Sequence, residues 1–215
     1  MRIAFLHTAE VHVKTFDGIF QNLNSKVELI HKVDSSLLER AQRNGLEDVR
    51  SETIAALTEL SAAEAVVCTC STLGPIADEL SKTYRHIFRI DRPVMEEACR
   101  NGENILVAVC LESTRDATLA LLNECALQMG KVIRPKIILC KSAWPYFERE
   151  EMAMFATEIA ETIKAALLQR KHTDCVVLAQ ASMRVAEGLL ENAGPPVVSS
   201  PLLAAKRAIE IAGKS

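Results

Sequence analysis

One stretch of this chain occurs twice. Val66-Val67-Cys68-Thr69-Cys70-Ser71-Thr72-Leu73, running on to Leu80, returns about half a chain later. The second copy is Val176-Val177-Leu178-Ala179-Gln180-Ala181-Ser182-Met183, running on to Leu190. In register, Val66 faces Val176, Val67 faces Val177, Thr72 faces Ser182 and Leu73 faces Met183. Each copy reads as a short apolar strand, a small polar turn and an amphipathic helix. A unit repeated at that offset in 215 residues implies two similar halves. The copies differ where chemistry would sit: Cys70 in the first is Gln180 in the second.

The remaining periodicity fits two α/β halves. Strand patterns at Arg2–Leu6, Val27–Ile30, Ala65–Thr69 and Ile87–Ile90 alternate with helical ones, including Phe16–Leu23 and 46–60. Arg92-Pro93 marks a break. After it come strands at 104–111, Lys136–Cys140, Cys175–Ala179 and Val197–Ser199, with helices between them and a last helix from Pro201. Such alternation predicts parallel sheets covered by helices on both faces. The expected division is 1–91 with 199–215 as one domain and 92–198 as the other.

Open parallel sheets bind ligands beyond the carboxyl ends of their strands. Four polar turns fall there: His7-Thr8, Cys70-Ser71-Thr72, Glu112-Ser113-Thr114 and Gln180-Ala181-Ser182. Ser and Thr at such turns serve either as plain helix caps or, with backbone N–H groups, as donors to a small anion. A cysteine at a helix start has its thiolate favoured by the dipole and nearby N–H groups, so Cys70 is the expected reactive thiol. His7 is expected to line the site. Ser35 or Ser36 is expected to cap a helix, and Trp144-Pro145-Tyr146-Phe147 either covers the site or packs between domains.

Composition narrows the classes. A formal charge of −3 and no basic run interleaved with aromatics argue against a nucleic-acid partner. No stretch approaches the roughly 20 apolar residues of a membrane span. Seven cysteines, an odd number lying mostly in apolar runs, suggest free thiols in a reducing cytoplasm. Cys68 and Cys70 lack a second ligand pair, so no metal is expected. No G-x-G-x-x-G comes after Leu6, so no dinucleotide site is expected.

Val67-Cys68-Thr69-Cys70-Ser71-Thr72 resembles the first signature of the aspartate/glutamate/hydantoin racemase superfamily, an apolar strand ending in Cys-Asn-Thr or a near variant. Val177-Leu178-Ala179-Gln180-Ala181-Ser182 falls where that superfamily has its second signature, which ends in Gly-Cys-Thr. Arg92-Pro93-Val94, and Val107-Ala108-Val109 followed by Ser113, Thr114 and Thr118, resemble its mid-chain pattern. The resemblance implies two pseudo-symmetric Rossmann-like or flavodoxin-like domains with the active site in the cleft between them. It implies cofactor-free chemistry at the carbon next to a carboxylate, and a homodimer or higher homo-oligomer. By position, Cys70 matches the first catalytic cysteine. Thr8, Ser71, Thr72, Ser113, Thr114, Thr118, Gln180, Ala181 and Ser182, with His7, would surround a small carboxylate. Gln180 cannot serve as an acid or base near neutral pH, which puts two-thiol racemisation in doubt. The superfamily also holds single-cysteine decarboxylases and double-bond isomerases, and a non-catalytic carboxylate-binding protein is the rival from another class.

Overall fold

The computed structural model describes residues 1–23 and 26–214. They form two compact α/β units: Met1–Asp91 with Pro201–Ser215, and Arg92–Ser200.

The first unit is built on β1 (Arg2–His7), β2 (Glu28–Val33), β3 (Ala65–Cys68) and β4 (Ile87–Arg89). The strands lie in the order β2-β1-β3-β4 and all pair in parallel. Its helices are α1 (Val11–Asn22), α2 (Ser35–Asn44), α3 (Arg50–Glu59) and α4 (Gly74–Ser81). β1 and β3 are nearly unbroken apolar runs because both faces are covered. Alternation along β1 sends Phe5 and His7 to one face, where Phe5 meets Phe16 and Phe20 of α1 at 4.5 and 6.0 Å between ring centroids. Ala4 and Leu6 point the other way, into a core with Leu37, Leu57, Val66, Cys68, Leu73 and Ile76.

The second unit repeats that plan. Its strands are β5 (Ile105–Val109), β6 (Lys136–Leu139), β7 (Cys175–Leu178) and β8 (Val197–Ser199), parallel in the order β6-β5-β7-β8. The intervening helices are α5 (Arg92–Asn101), α6 (Arg115–Gln128), α7 (Trp144–Glu148), α8 (Met152–Leu168) and α9 (Glu187–Leu190). Leu106, Ala108, Val176 and Leu178 pack with Phe155, Ile159 and Ile163 of α8. The chain then enters α10 (Ser200–Ala212). The repeat in the sequence corresponds to β3 with its turn and α4, and to β7 with its turn and α9. Each of these strands is third in the order of its sheet.

Several local expectations change. The first helix begins at Val11 and takes His12 into its first turn. Asp34, not Ser35 or Ser36, caps α2: its Oδ1 accepts the Ser36 N–H at 3.1 Å and the Ser36 hydroxyl at 2.6 Å. The aromatic cluster forms α7, and Phe147 packs on Phe155 at 5.3 Å, within the second unit's own core. The second repeat copy tightens after Gln180 into a 3-10 turn over Ala181–Ala186, and only Glu187–Leu190 is α-helical. It lacks the Gly74-Pro75 start that opens α4 in the first copy.

Gly74 also makes room for a buried cation. Arg89, at the end of β4, donates to both oxygens of Asp91 at 2.6 and 2.9 Å and to Asp78 of α4 at 2.8 Å. A Cβ on Gly74 would stand 2.5 Å from the guanidinium carbon. The two carboxylates hold that group in place, so it cannot swing aside at little cost. Gly74→Ala should therefore destabilise the protein by about 1–3 kcal/mol, the usual range for overpacking. A lowered urea midpoint at unchanged m-value would show this.

Candidate active site

In a parallel sheet of order 2-1-3-4, the chain leaves β1 toward one side and returns on the other. A crevice therefore opens beyond the carboxyl ends of β1 and β3. In the first unit those ends carry His7-Thr8 and Thr69-Cys70, and Ser71 and Thr72 lie in the turn before α4. Thr8, Cys70, Ser71 and Thr72 are buried, each under a tenth exposed.

Burial in apolar surroundings raises the Cys70 thiol above its ordinary value. Against that effect work the Leu73 N–H, the Thr8 hydroxyl, the Thr72 N–H and the Thr72 hydroxyl, all of which favour the thiolate. Thr72 Oγ1 is buried and makes no hydrogen bond of ordinary length, so the Leu73 N–H and the Thr8 hydroxyl are the stronger of these influences. The expectation of a thiol lowered outright by a helix start is thus corrected in two respects. The helix begins at Gly74, four residues on, and burial outweighs the donors. Cys110 and Cys175 are raised by burial with no such donors, and Cys68 is wholly buried in the core. All seven cysteines are free and buried, and Cys70, at 7% exposed, is the most accessible.

His7 does not open on the crevice. It lies on the α1 face, 0% exposed, and links the end of β1 to the end of β3 and to the middle of β2. Its Nδ1 lies 2.8 Å from Thr69 Oγ1 on β3's end, and its Nε2 lies 2.8 Å from Nδ1 of His31 on β2. His31 Nε2 in turn reaches Oδ1 of Asp17 on α1 at 3.2 Å. The His7 ring is nearly parallel to those of Phe5 and His31, at 5.6 and 5.1 Å between centroids. Burial, and then His12 and His31 nearby, hold His7 down to about 3, and burial holds His12 to about 4. Reading the sequence does not bring Asp17, His31 and Thr69 to this place. A histidine near the end of each of two neighbouring parallel strands is the signal it carries.

The second unit arranges the corresponding place differently. Gln180 comes after β7, and its side-chain oxygen accepts the N–H groups of Cys110 and, at 3.3 Å, Leu111 at the end of β5. The side chain of Gln180 thus satisfies two N–H groups at the end of β5. The Thr114 hydroxyl donates to the Leu111 carbonyl at 2.7 Å. Thr118 Oγ1 is buried with no hydrogen-bond partner among the described residues, and Ser113 is exposed. Ala181 and Ser182 sit in the 3-10 turn after Gln180. Among the described residues no cluster of His, Cys, Asp or Glu is arranged to hold a metal, and no helix is long and apolar enough to cross a membrane.

No protein-family model matches the chain, and no curated protein matches it in sequence. Solved structures do match it. A glutamate racemase isoform from Bacillus anthracis superposes with a TM-score of 0.73 at 15% identity, over 99% of this chain and 81% of that one. Aspartate racemase from Picrophilus torridus gives 0.71 at 16%, over 99% and 94%. A mutant of arylmalonate decarboxylase in a sulfate-associated form gives 0.66 at 14%, over 99% and 94%. The two-domain α/β fold of the chain is the fold of these racemases and of this decarboxylase.

Two outcomes are expected of these residues. His7 and His12 titrate near 6.5 when unfolded and near 3 and 4 when folded, so the unfolded chain binds more protons between those values. Their contribution to stability is complete above about pH 6.5 and is lost as the pH falls, to about 4 for His12 and about 3 for His7. The melting temperature should drop across that interval, and His12→Gln should flatten the drop. Gln180→Cys strips one buried and one part-buried N–H group of their acceptor and should cost about 1–3 kcal/mol in chemical denaturation.

Proposed function

We propose that the chain is an enzyme of the aspartate/glutamate/hydantoin racemase superfamily. It acts without a cofactor at the carbon next to the carboxylate of a small acid, and Cys70 serves as its acid/base or nucleophile. The supporting observation is the set of donors turned on the Cys70 sulfur at the first unit's strand ends. A thiolate is the form that removes a proton or attacks carbon. Thr8, Ser71 and Thr72 supply hydroxyls and N–H groups in the same turns, the groups a carboxylate needs. Thr118 offers a buried hydroxyl with no hydrogen-bond partner in the second unit.

Gln180 bears on which reaction of the class is run. It has no titratable proton, and its oxygen is engaged by two backbone N–H groups. This favours one-thiol chemistry, either isomerisation through attack by Cys70 or decarboxylation followed by protonation from one side. The fold likeness to an arylmalonate decarboxylase is compatible with the second of these.

The test is solvent-deuterium exchange by NMR over amino acids, hydroxy acids, malonates and maleate, with Cys70→Ala as control. The expected result is turnover or one-sided deuteration of one acid class. Cys70→Ala should lower it at least about a hundredfold, the lower end of what a general acid–base group contributes. Efficient racemisation of aspartate or glutamate by the native chain would defeat the one-thiol reading. Activity retained by Cys70→Ala would defeat the assignment of Cys70.

A further inference from the structure

The segment from Cys68 to Gly74, which carries Cys70, is held at both of its ends by residues at the end of β4. At the first end, the Ile90 N–H donates to the Cys68 carbonyl at 2.9 Å. At the second, the Arg89 guanidinium lies against Gly74. Cys68 and Arg89 stand opposite each other in the β3–β4 register, so both side chains leave the sheet on one face. That is the face α4 covers, since Cys68 packs in one core with Ile76 and Ala77. A Cβ on Gly74 would stand 2.5 Å from Arg89 Cζ, 2.5 Å from Nη2 and 2.6 Å from Nε. The Gly74 backbone therefore lies over the fork of the guanidinium.

The fork is itself fixed. Nε donates to Asp91 Oδ1 at 2.6 Å and Nη2 to Asp91 Oδ2 at 2.9 Å. Nη1 donates to Asp78, four residues beyond Gly74 on α4, at 2.8 Å. One planar cation thus meets α4 at its first residue and again one turn on, while Asp91 ties it to the end of β4. Within the held segment the backbone is closed by short bonds. The Thr69 N–H donates to the Leu6 carbonyl at 3.0 Å, the Gly74 N–H to the Ser71 carbonyl at 3.2 Å and the Ile76 N–H to the Leu73 carbonyl at 3.0 Å. The Thr72 and Leu73 N–H groups that favour the Cys70 thiolate belong to this segment. Their aim at the sulfur depends on where α4 starts relative to the end of β3. An apolar side chain at position 89 would avoid desolvating a cation and two carboxylates. The planar fork instead fixes distance and direction together, which an apolar contact does not.

We propose that Arg89 is the positioning residue of the Cys70 turn: gripped by Asp91 and Asp78, its guanidinium sets the start of α4 so that the Thr72 and Leu73 N–H groups stay on the sulfur. The inference rests on the reading of Cys70 as the reacting thiol. Arg89 acts through the backbone of α4, and Asp91 and Asp78 act through Arg89. Gly74 is the residue that lets the guanidinium come this close, because any side chain there would push α4 away from β4. A carboxylate that accepts two or three backbone N–H groups falls by about two pH units, or roughly one unit per donor. A small displacement of α4 therefore has a measurable effect on a thiolate held by the same kind of donor.

The experiment follows iodoacetamide labelling of Cys70 against pH by peptide mass mapping, with the other six cysteines mapped in the same digests. The native protein is compared with Arg89→Lys, Asp78→Ala and Asp78→Asn, each shown to be folded by urea titration. Arg89→Lys keeps the charge and loses the planar fork. Asp78→Ala cuts the tie to α4 at a side chain that is 23% exposed, and Asp78→Asn keeps an oxygen for Nη1. Arg89→Lys and Asp78→Ala should raise the Cys70 labelling midpoint by about one pH unit, which lowers the rate near neutrality about tenfold. Asp78→Asn should restore most of the native midpoint, and the other six thiols should keep theirs. An unchanged Cys70 midpoint in Arg89→Lys and Asp78→Ala would overturn the proposal and leave the cluster with a stabilising role alone. A shift shared by all seven thiols marks general loosening and would overturn it equally. Should Arg89→Lys not fold, the contrast between Asp78→Ala and Asp78→Asn decides. If the Cys70 midpoint moves as expected while Cys70→Ala keeps turnover on some acid, the positioning role stands and the catalytic assignment of Cys70 falls.

Discussion

Backbone N–H groups at the carboxyl end of a parallel strand run out of partners, and each must find an acceptor. In both units of this protein that demand is greatest where the chain switches sides, between the first and third strands. The second unit meets it with its own side chain, Gln180. The first unit brings a thiol to the end of β3, where the Thr72 and Leu73 N–H groups are directed at sulfur. Two sheets of the same order thus end differently: one has a side-chain amide on its strand-end N–H groups, and the other has a thiol there.

The thiol sits under opposing influences. Burial favours the neutral form, and the surrounding donors favour the charged one. Neither is incidental, because the turn that buries Cys70 also delivers the donors. The Arg89–Asp91–Asp78 cluster fixes the far side of the same turn, since the guanidinium rests on Gly74, where α4 begins. Arg89 also lies close enough to favour ionisation of Cys68, but Cys68 is wholly buried and its thiol stays high.

Much of the architecture is legible because it is written in runs of residue type. The apolar strands Ile3–Leu6 and Ile105–Val109, the Pro75 helix start and the duplicated third strand all arise from local preference. The turns at Cys70 and Gln180 are legible as places for the same reason. Their chemistry is less so, because it depends on neighbours distant in sequence. Nothing near Gln180 announces that its oxygen caps β5, some seventy residues earlier. Nothing near His7 says that it faces α1 rather than the crevice, because a one-residue change of phase at a strand end reverses the side chain. The direction of the Cys70 shift escapes a reading of residue order because the helix dipole can be read there, whereas the depth of burial cannot.

The first unit is interrupted. Residues 1–91 belong with 201–215, and the whole of Arg92–Ser200 lies between them in the chain. α10 contributes the wholly buried Ala204, Ala205 and Ala208. At ribosomal rates of about 5–20 residues per second, the intervening unit takes roughly 5 to 20 seconds to emerge. For that time the strands around Cys70 exist without the helix that completes them. The second unit is continuous and can fold as it leaves the ribosome. The half of the molecule that carries Cys70 is therefore finished after the other, and during synthesis it is the half open for longer to chaperones, oxidants and proteases.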